Sequence, residues 1–284
     1  MSRARQVQKR PKTEDDMEFE QIRYEKSDGI ATITLNRPER MNAFTPKMLD
    51  EWLAALQDAH LDAETRVILL TGEGRGFCTG MDVQAQAQGQ GLLRQGRSLA
   101  EGRNDLRDTV QRIPRLVAQM DKPYIAAVTG GGVGAGMDMA SMCDIRIAAG
   151  TARFGMTYAR MGLIPGDGGC YYLPRIVGVA RALDLIWTGR LFDAEEALRI
   201  GYVSEVVPAE ELVAYTHDYA LRLAKGPAVA IQLAKRLVYR SLEVDIDQAL
   251  EMAQGAMTIA RSTEDAREGP RAFVEKREPE FKGR

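Results

Sequence analysis

The sequence predicts an α/β protein: a strand-rich core followed by a helical C-terminal portion. Two observations predict it. Short apolar stretches run repeatedly into glycine-rich turns up to about residue 150, and from Gly168 onward the pattern is almost wholly helical. No internal repeat and no long linker separates the two halves, so the helices read as an extension of the core. The expected division is a disordered tail over residues 1–16, a core over 17–205 and a helical region over 206–284 too thin to fold alone.

The elements follow in order. Residues 1–16 are polar and charged, and Met17 is a candidate natural start. Phe19–Tyr24 and Ile30–Leu35 alternate apolar and polar residues around Ser27-Asp28-Gly29, a hairpin signal. Thr45-Pro46 places a capping hydroxyl before a proline at the first helical position, so a helix is expected to about Leu61. Val67–Thr71 reads as a short buried strand leading into the glycine-rich loop Gly72–Gly80. The Gln, Ala and Gly residues of Gln84–Gly91 offer little to bury, which predicts a mobile segment. A helical pattern then runs to about Met120, with a bend expected near Pro114. Strands are expected at Tyr124–Val128 and Ile145–Ala149 on either side of a glycine loop and a short helix. Beyond Gly168, helical segments near 178–188, 193–200, 209–225, 227–240, 244–261 and 263–276 are separated by Gly, Pro, Asp or Ser.

Composition removes several function classes. A net charge of −2 argues against nucleic acid as the main partner. No apolar run approaches the roughly 20 residues of a membrane span, and the first residues lack the apolar stretch of a secretory signal. A cytoplasmic protein is therefore expected. Cys78, Cys143 and Cys170 are odd in number and far apart, which suits reduced thiols. The two histidines, His60 and His217, fall on expected amphipathic helices and read as solvated helix-face residues. A Cys/His zinc site or a Ser-His-Asp hydrolase has too few histidines to be built, so proton chemistry falls to carboxylates, tyrosine or lysine.

The most informative stretch is Tyr124–Asp144. A short apolar strand enters Gly130–Gly136, which holds five glycines in seven residues, and a helix follows with Asp138 in its first turns. Such a backbone can turn with positive φ and lets a ligand approach bare N–H groups. Gly130-Gly-Gly-Val-Gly-Ala135 also satisfies a loose G-x-G-x-x-A. A dinucleotide fold needs an acidic residue ending the next strand, however, and Ile145–Ala149 ends in Gly150-Thr151. Gly72-Glu-Gly-Arg-Gly-Phe-Cys-Thr-Gly-Met-Asp82 repeats the arrangement of strand, glycine loop and carboxylate. Two such loops can each direct one backbone N–H at a single oxygen.

Five pieces then fall in a fixed order: Leu35-Asn-Arg-Pro-Glu-Arg-Met-Asn-Ala43, Gly76-Phe-Cys-Thr-Gly-Met-Asp82, Ala127-Val-Thr-Gly with Cys143-Asp144, Gly162-Leu-Ile-Pro-Gly-Asp-Gly-Gly169, and Phe273-Val-Glu-Lys-Arg277. With them the chain resembles the enoyl-CoA hydratase/isomerase, or crotonase, family over roughly residues 18–284. The resemblance implies a ββα spiral core with a helical C-terminal trimerisation region. It implies a homotrimer or hexamer acting on an acyl-CoA thioester, without metal or organic cofactor, coenzyme A entering as part of the substrate. It implies a thioester enolate held in an oxyanion hole by the N–H groups of Met81 and Ala135. It also implies contacts to CoA or substrate from Asn42, Ala43, Gly80, Gly134 and Tyr158, and from Phe273 and Lys276, in many members across a subunit boundary.

The chain departs from the family pattern in places. Hydratases of the family use two glutamates; Asp138 matches the first, and the second position holds Tyr158, a poor base at neutral pH. Asp167 offers a substitute, one residue beyond Gly166, where several double-bond isomerases carry an aspartate. An aspartate at 138 also resembles the dienoyl-CoA isomerase branch. Gln84 stands where some hydratases have a CoA-binding lysine. Asp82 is expected to cap local backbone, and Cys78 and Cys143 to pack as small apolar residues. Asp138 and Asp167 are thus the candidate catalytic pair. Hydration of a 2-enoyl-CoA is the first expectation, double-bond isomerisation of an enoyl- or dienoyl-CoA the second, and acyl-CoA binding without catalysis the third.

Overall fold

The structure, a computed structural model, describes residues 19–88, 98–102 and 104–284. The expected tail over 1–16, Met17 and the last part of Gln84–Gly91 lie outside those residues. β1 (Ile22–Ser27) and β2 (Ile30–Leu35) form the hairpin, turning through Asp28 at φ 53° and Gly29 at φ 76°. Two successive positive φ values match the twist of the flanking strands. In α1 (Pro46–Leu61), Thr45 Oγ1 accepts the Met48 N–H at 3.0 Å, so the cap forms as the sequence dictates. The apolar stripe Met48, Leu49, Trp52, Ala55, Leu56 and Ala59 faces the core.

β3 (Val67–Gly72), β4 (Tyr124–Val128), β6 (Ile145–Ala149) and β9 (Glu205–Val207) continue the sheet in parallel, in the order β1-β2-β3-β4-β6-β9. Side chains alternate across it. Ile68, Leu70, Tyr124, Ala126 and Val128 enter the main core with α1, while Val67, Leu69, Ile125, Ala127 and Ile147 pack beneath α10 (Leu212–Ala224). β9 thus straddles the division expected after residue 205, and α10 covers a face of the sheet.

A second layer lies beyond the ends of these strands. β5 (Gly131–Val133), β7 (Arg153–Gly155) and β8 (Phe192–Asp193) form a three-stranded sheet in that order. Cys78 bridges to Gly132, and Phe44 bridges to Met81. β2, β3, β4 and β6 therefore each run on into a short strand or bridge of the second layer, and a helix follows. That is a ββα spiral. The sequence shows none of β5, β7, β8 or β9: each spans two or three residues, and their partners are distant in the chain.

The helical pattern expected up to Met120 is broken into α3 (Leu99–Gly102), α4 (Asp105–Asp108) and α5 (Arg112–Val117). Thr109, at φ −115° and ψ −103°, ends α4. Because α5 starts at Arg112, Pro114 falls in its first turn, where a missing N–H leaves no hydrogen bond unmade. Part of Gln84–Gly91 is helical: α2 (Val83–Ala87) is capped by Asp82, whose Oδ1 accepts the Ala85 N–H at 3.0 Å.

α6 (Ala135–Ser141) is buried along its whole length. α7 (Gly169–Val177), α8 (Val179–Thr188) and α9 (Ala194–Arg199) wrap the second layer, and α11 (Ala228–Ser241), α12 (Ile246–Ser262) and α13 (Asp265–Glu275) form the C-terminal arm. The arm is tied on by polar contacts. Asp144 accepts the Tyr124 N–H at 2.7 Å, Lys235 Nζ at 2.7 Å and the Tyr239 hydroxyl at 2.8 Å. α12 buries no residue. No helix among the described residues is long and apolar enough to cross a membrane. Cys78 and Cys143 are buried, as expected for packed small residues. His60 and His217 are half-buried rather than solvated, and His60 Nδ1 is enclosed with no partner among the described residues.

The two glycine loops meet backbone to backbone. A methyl group added at Gly136 would sit 2.0 Å from the Cys78 carbonyl oxygen, which no side-chain movement can relieve. We expect Gly136→Ala to lose about 3 kcal/mol or more, visible as a fall in Tm or in soluble yield. A Tm within a degree or two of the parent would show that the loops separate easily.

Candidate active site

Glycine is needed at Gly80, where the loops converge. Gly80 has φ +80°, and a Cβ there would lie 2.7 Å from the Ala135 nitrogen and 3.1 Å from the Val133 carbonyl oxygen. The pairing is set by hydrogen bonds from Cys78 N–H to Gly131 O at 2.9 Å and from Val133 N–H to Cys78 O at 3.0 Å. Phe44 N–H donates to Gly80 O at 2.7 Å, and the buried Cys78 thiol donates to Asn42 O while accepting the Gly80 N–H. Met81 follows this junction directly, and Ala135 opens α6 on its other side. The N–H of Ala135 lies in the first turn, where no intrahelical partner exists. Among the described residues, neither the Met81 nor the Ala135 N–H has a hydrogen-bond acceptor.

The carboxylates lie on the elements that follow. Asp138 is in the first turn of α6 and wholly buried. Asp167, at the end of the Gly162–Gly168 loop, is 6 % exposed. Between them stands Tyr158, in the 3-10 turn Thr157–Met161. Its hydroxyl lies 2.8 Å from Asp138 Oδ2 and 3.1 Å from Asp167 Oδ2. Gln111 steadies the Asp167 loop by donating to Gly166 O at 2.8 Å. The other oxygen, Asp138 Oδ1, is buried, has no hydrogen-bond partner among the described residues and lies against Gly169.

The electrostatics follow from that packing. Burial is the largest influence on Asp138, and the neighbouring Asp167 charge adds to it; together they push its carboxyl up to about 8, against the Tyr158 hydroxyl and nearby backbone N–H groups. Burial raises Asp167 to about 6, with Tyr158 opposing. The Tyr158 phenol, buried and facing two carboxyls, is held well above its ordinary range. The structure thus brings Asp138, Asp167 and Tyr158 into one cluster at the seam between Gly80 and Ala135. The displacement of Asp167 by one residue from Gly166 does not turn it away.

The remaining candidates are placed differently. Asn42 is fully buried, its amide donating to Glu73 O, Gly76 O and Phe77 O and its oxygen accepting the Arg37 N–H, so the side chain is committed to the glycine loop. The Ala43 carbonyl accepts from Arg37. Gly134, at φ +56°, donates its N–H to Gly155 O. Phe273 and Lys276 are exposed on and just after α13, which packs on α12. A surface cleft on the C-terminal arm is lined by Asp265, Glu268, Arg271 and Arg277, and Arg277 there is ion-paired with Glu268 and Glu275. Two features escape the sequence. One is the Tyr158 bridge, which joins residues 20 and 9 positions away. The other is Arg40, which donates to Gln84. Arg40 stands 44 positions before Gln84, so the sequence gives no advance signal of the second.

The family profile described as enoyl-CoA hydratase/isomerase matches residues 25–284. The crotonyl-CoA hydratase of Syntrophomonas wolfei is 35% identical over 266 residues, covering 93% of this chain and 99% of that protein. The 1,2-epoxyphenylacetyl-CoA isomerase of Escherichia coli is 36% identical over 272 residues, with 94% and 100% covered. The crystal structure of enoyl-CoA hydratase from Bacillus anthracis superposes with a TM-score of 0.86 at 34% identity, over 93% of this chain and 100% of that one. Spiral core, paired glycine loops and a match of this length agree: the chain has the crotonase fold and belongs to the enoyl-CoA hydratase/isomerase family.

Proposed function

We propose that this enoyl-CoA hydratase/isomerase adds water across the double bond of a 2-enoyl-CoA, with Asp138 and Asp167 moving the protons. One observation carries the assignment: two buried carboxyls on a single phenol hydroxyl, beside two loops with unpaired N–H groups. The thioester oxygen sits between the amides of Met81 and Ala135. Water attacks Cβ and forms the C–O bond, and the double-bond electrons move onto that oxygen as an enolate. The ionised carboxylate takes the water's proton. The enolate collapses as the protonated carboxyl gives its proton to Cα. One preorganised donor to such an oxyanion is worth about 2.7–4 kcal/mol, realised only as charge develops.

The bound CoA runs past the backbone of Asn42 and Ala43 and past Gly80 and Gly134, with Tyr158 closing the acyl end. Arg40, held by Gln84, offers a cation for the CoA phosphates. Phe273 and Lys276 reach a neighbouring copy in a homotrimer or hexamer, a role consistent with the exposure of Phe273 and of Leu242, Ile246 and Leu250 on the C-terminal arm. The mechanism calls on no metal and no organic cofactor, and the separate, unpaired cysteines suit the cytoplasm.

Isomerisation is the second reading, favoured by a phenol where a second glutamate would hold water. The discriminating experiment is spectroscopic. Crotonyl-CoA loses its ultraviolet absorbance on hydration, whereas a 3-enoyl-CoA gains absorbance when its double bond moves into conjugation. Binding of both without change would instead mark an acyl-CoA-binding protein.

The pair also sets a pH profile. One carboxyl must be ionised and the other protonated, so kcat/KM rises through about pH 6, peaks near neutrality and falls above about 8. A flat profile over that range would exclude the two carboxyls from rate-limiting proton transfer.

A further inference from the structure

The Tyr158 hydroxyl carries one hydrogen but touches a carboxyl oxygen on each side, at 2.8 and 3.1 Å. Only one carboxylate can receive that hydrogen. The other contact forms when its carboxyl is protonated and donates to the phenol oxygen. The three groups therefore make a directional chain with two arrangements. In one, Asp138 is protonated and donates to Tyr158, which donates to Asp167. In the other, the direction is reversed. Among the described residues, no other side chain hydrogen-bonds either carboxyl. Asp138 has no solvent exposure and Asp167 has 6 %.

Hydration with two carboxyls leaves the pair inverted. The group that began ionised ends with the water's proton, and the group that began protonated ends ionised. A second identical turnover requires that proton to cross from one to the other. We infer that Tyr158 is the conductor that resets the pair: it takes the proton from the loaded carboxyl while passing its own hydrogen to the empty one. Each phenol O–H bond broken is matched by one formed. A single proton moves between carboxyls, no charge is left on the phenol, and bulk water is not needed. The inference rests on the assignment of Asp138 and Asp167 as the proton-moving pair, and it makes Tyr158 a positioning residue that acts through them.

Removing the hydroxyl separates the first turnover from the rest. Tyr158→Phe is expected to convert one equivalent of crotonyl-CoA per site rapidly in a quenched-flow experiment and then slow by about 100-fold or more. Small buffers such as imidazole or formate should speed the slow phase in proportion to their concentration, while leaving the burst unchanged. The wild-type rate should not respond to buffer. Equal slowing of the first and later turnovers, or a full steady-state rate in Tyr158→Phe, would overturn the relay. If that variant does not fold, buffer acceleration of wild-type turnover would overturn it equally. Failure of the underlying assignment looks different: Asp138→Asn would then retain activity, whatever Tyr158→Phe does.

Discussion

Asp138→Asn should lower kcat by about 10²–10⁴-fold while leaving the affinity for a saturated acyl-CoA within about threefold. Asn keeps the shape of the side chain and can still bond the Tyr158 hydroxyl, but it cannot exchange a proton. Calorimetric titration with butyryl-CoA beside a steady-state assay checks both halves. Affinity lost in step with turnover would make Asp138 a structural residue. The same substitution should stabilise the fold, with a definite pH dependence. In the unfolded chain this carboxyl ionises near its ordinary 3.8, whereas the folded protein holds its proton up to about 8. Native stability is therefore greatest at low pH and declines as pH rises from about 4 to about 8. Asn escapes that decline, so Asp138→Asn should have the higher Tm at pH 8, with the two proteins converging near pH 4. A variant less stable at pH 8 would contradict the burial of an unsatisfied Oδ1.

Gly80→Ala is the second large effect, and its origin is steric. The added methyl would lie 2.7 Å from the Ala135 nitrogen and 3.1 Å from the Val133 oxygen, both main-chain atoms, at a backbone φ of +80°. The loops must part, and the N–H groups of Met81 and Ala135 move apart with them. Losing one oxyanion donor costs roughly 2.7–4 kcal/mol of transition-state stabilisation, so kcat/KM should fall about 10²–10³-fold. The residual activity should keep both limbs of its pH profile, because the carboxyls are untouched. Loss of the limbs would show that the two parts of the site are not independent.

Much of the fold is legible wherever local chemistry decides it. Thr45-Pro46 sets the start of α1, Asp28-Gly29 sets the hairpin, and the apolar runs at Val67, Tyr124 and Ile145 are strands because nothing else suits them. The second layer is not legible. Gly131–Val133 and Arg153–Gly155 have no strand periodicity, and they pair only because the large sheet delivers their ends side by side. The broken helix before Met120 is similar, since Thr109 ends a turn that its sequence could have continued. At the site, the glycine loops and Asp138 stand out because backbone N–H groups and a carboxylate beside them leave a mark in composition. The union of Asp138, Tyr158 and Asp167 leaves none, because three segments must fold before one hydroxyl meets two acids.

The junction of Cys78–Gly80 with Gly131–Ala135 has a consequence for how this protein can change. Its donors belong to peptide units, and their spacing is fixed by glycines and by hydrogen bonds that involve no side chain at 81 or 135. The half-buried Met81 side chain can therefore be exchanged without touching those peptide units, whereas Ala135 is 6 % exposed and packed against Gly80, so a larger side chain there would press on the junction itself. If the two amides hold the thioester oxygen as proposed, a library randomised at Met81 alone is a route to variants that accept bulkier or aromatic thioesters.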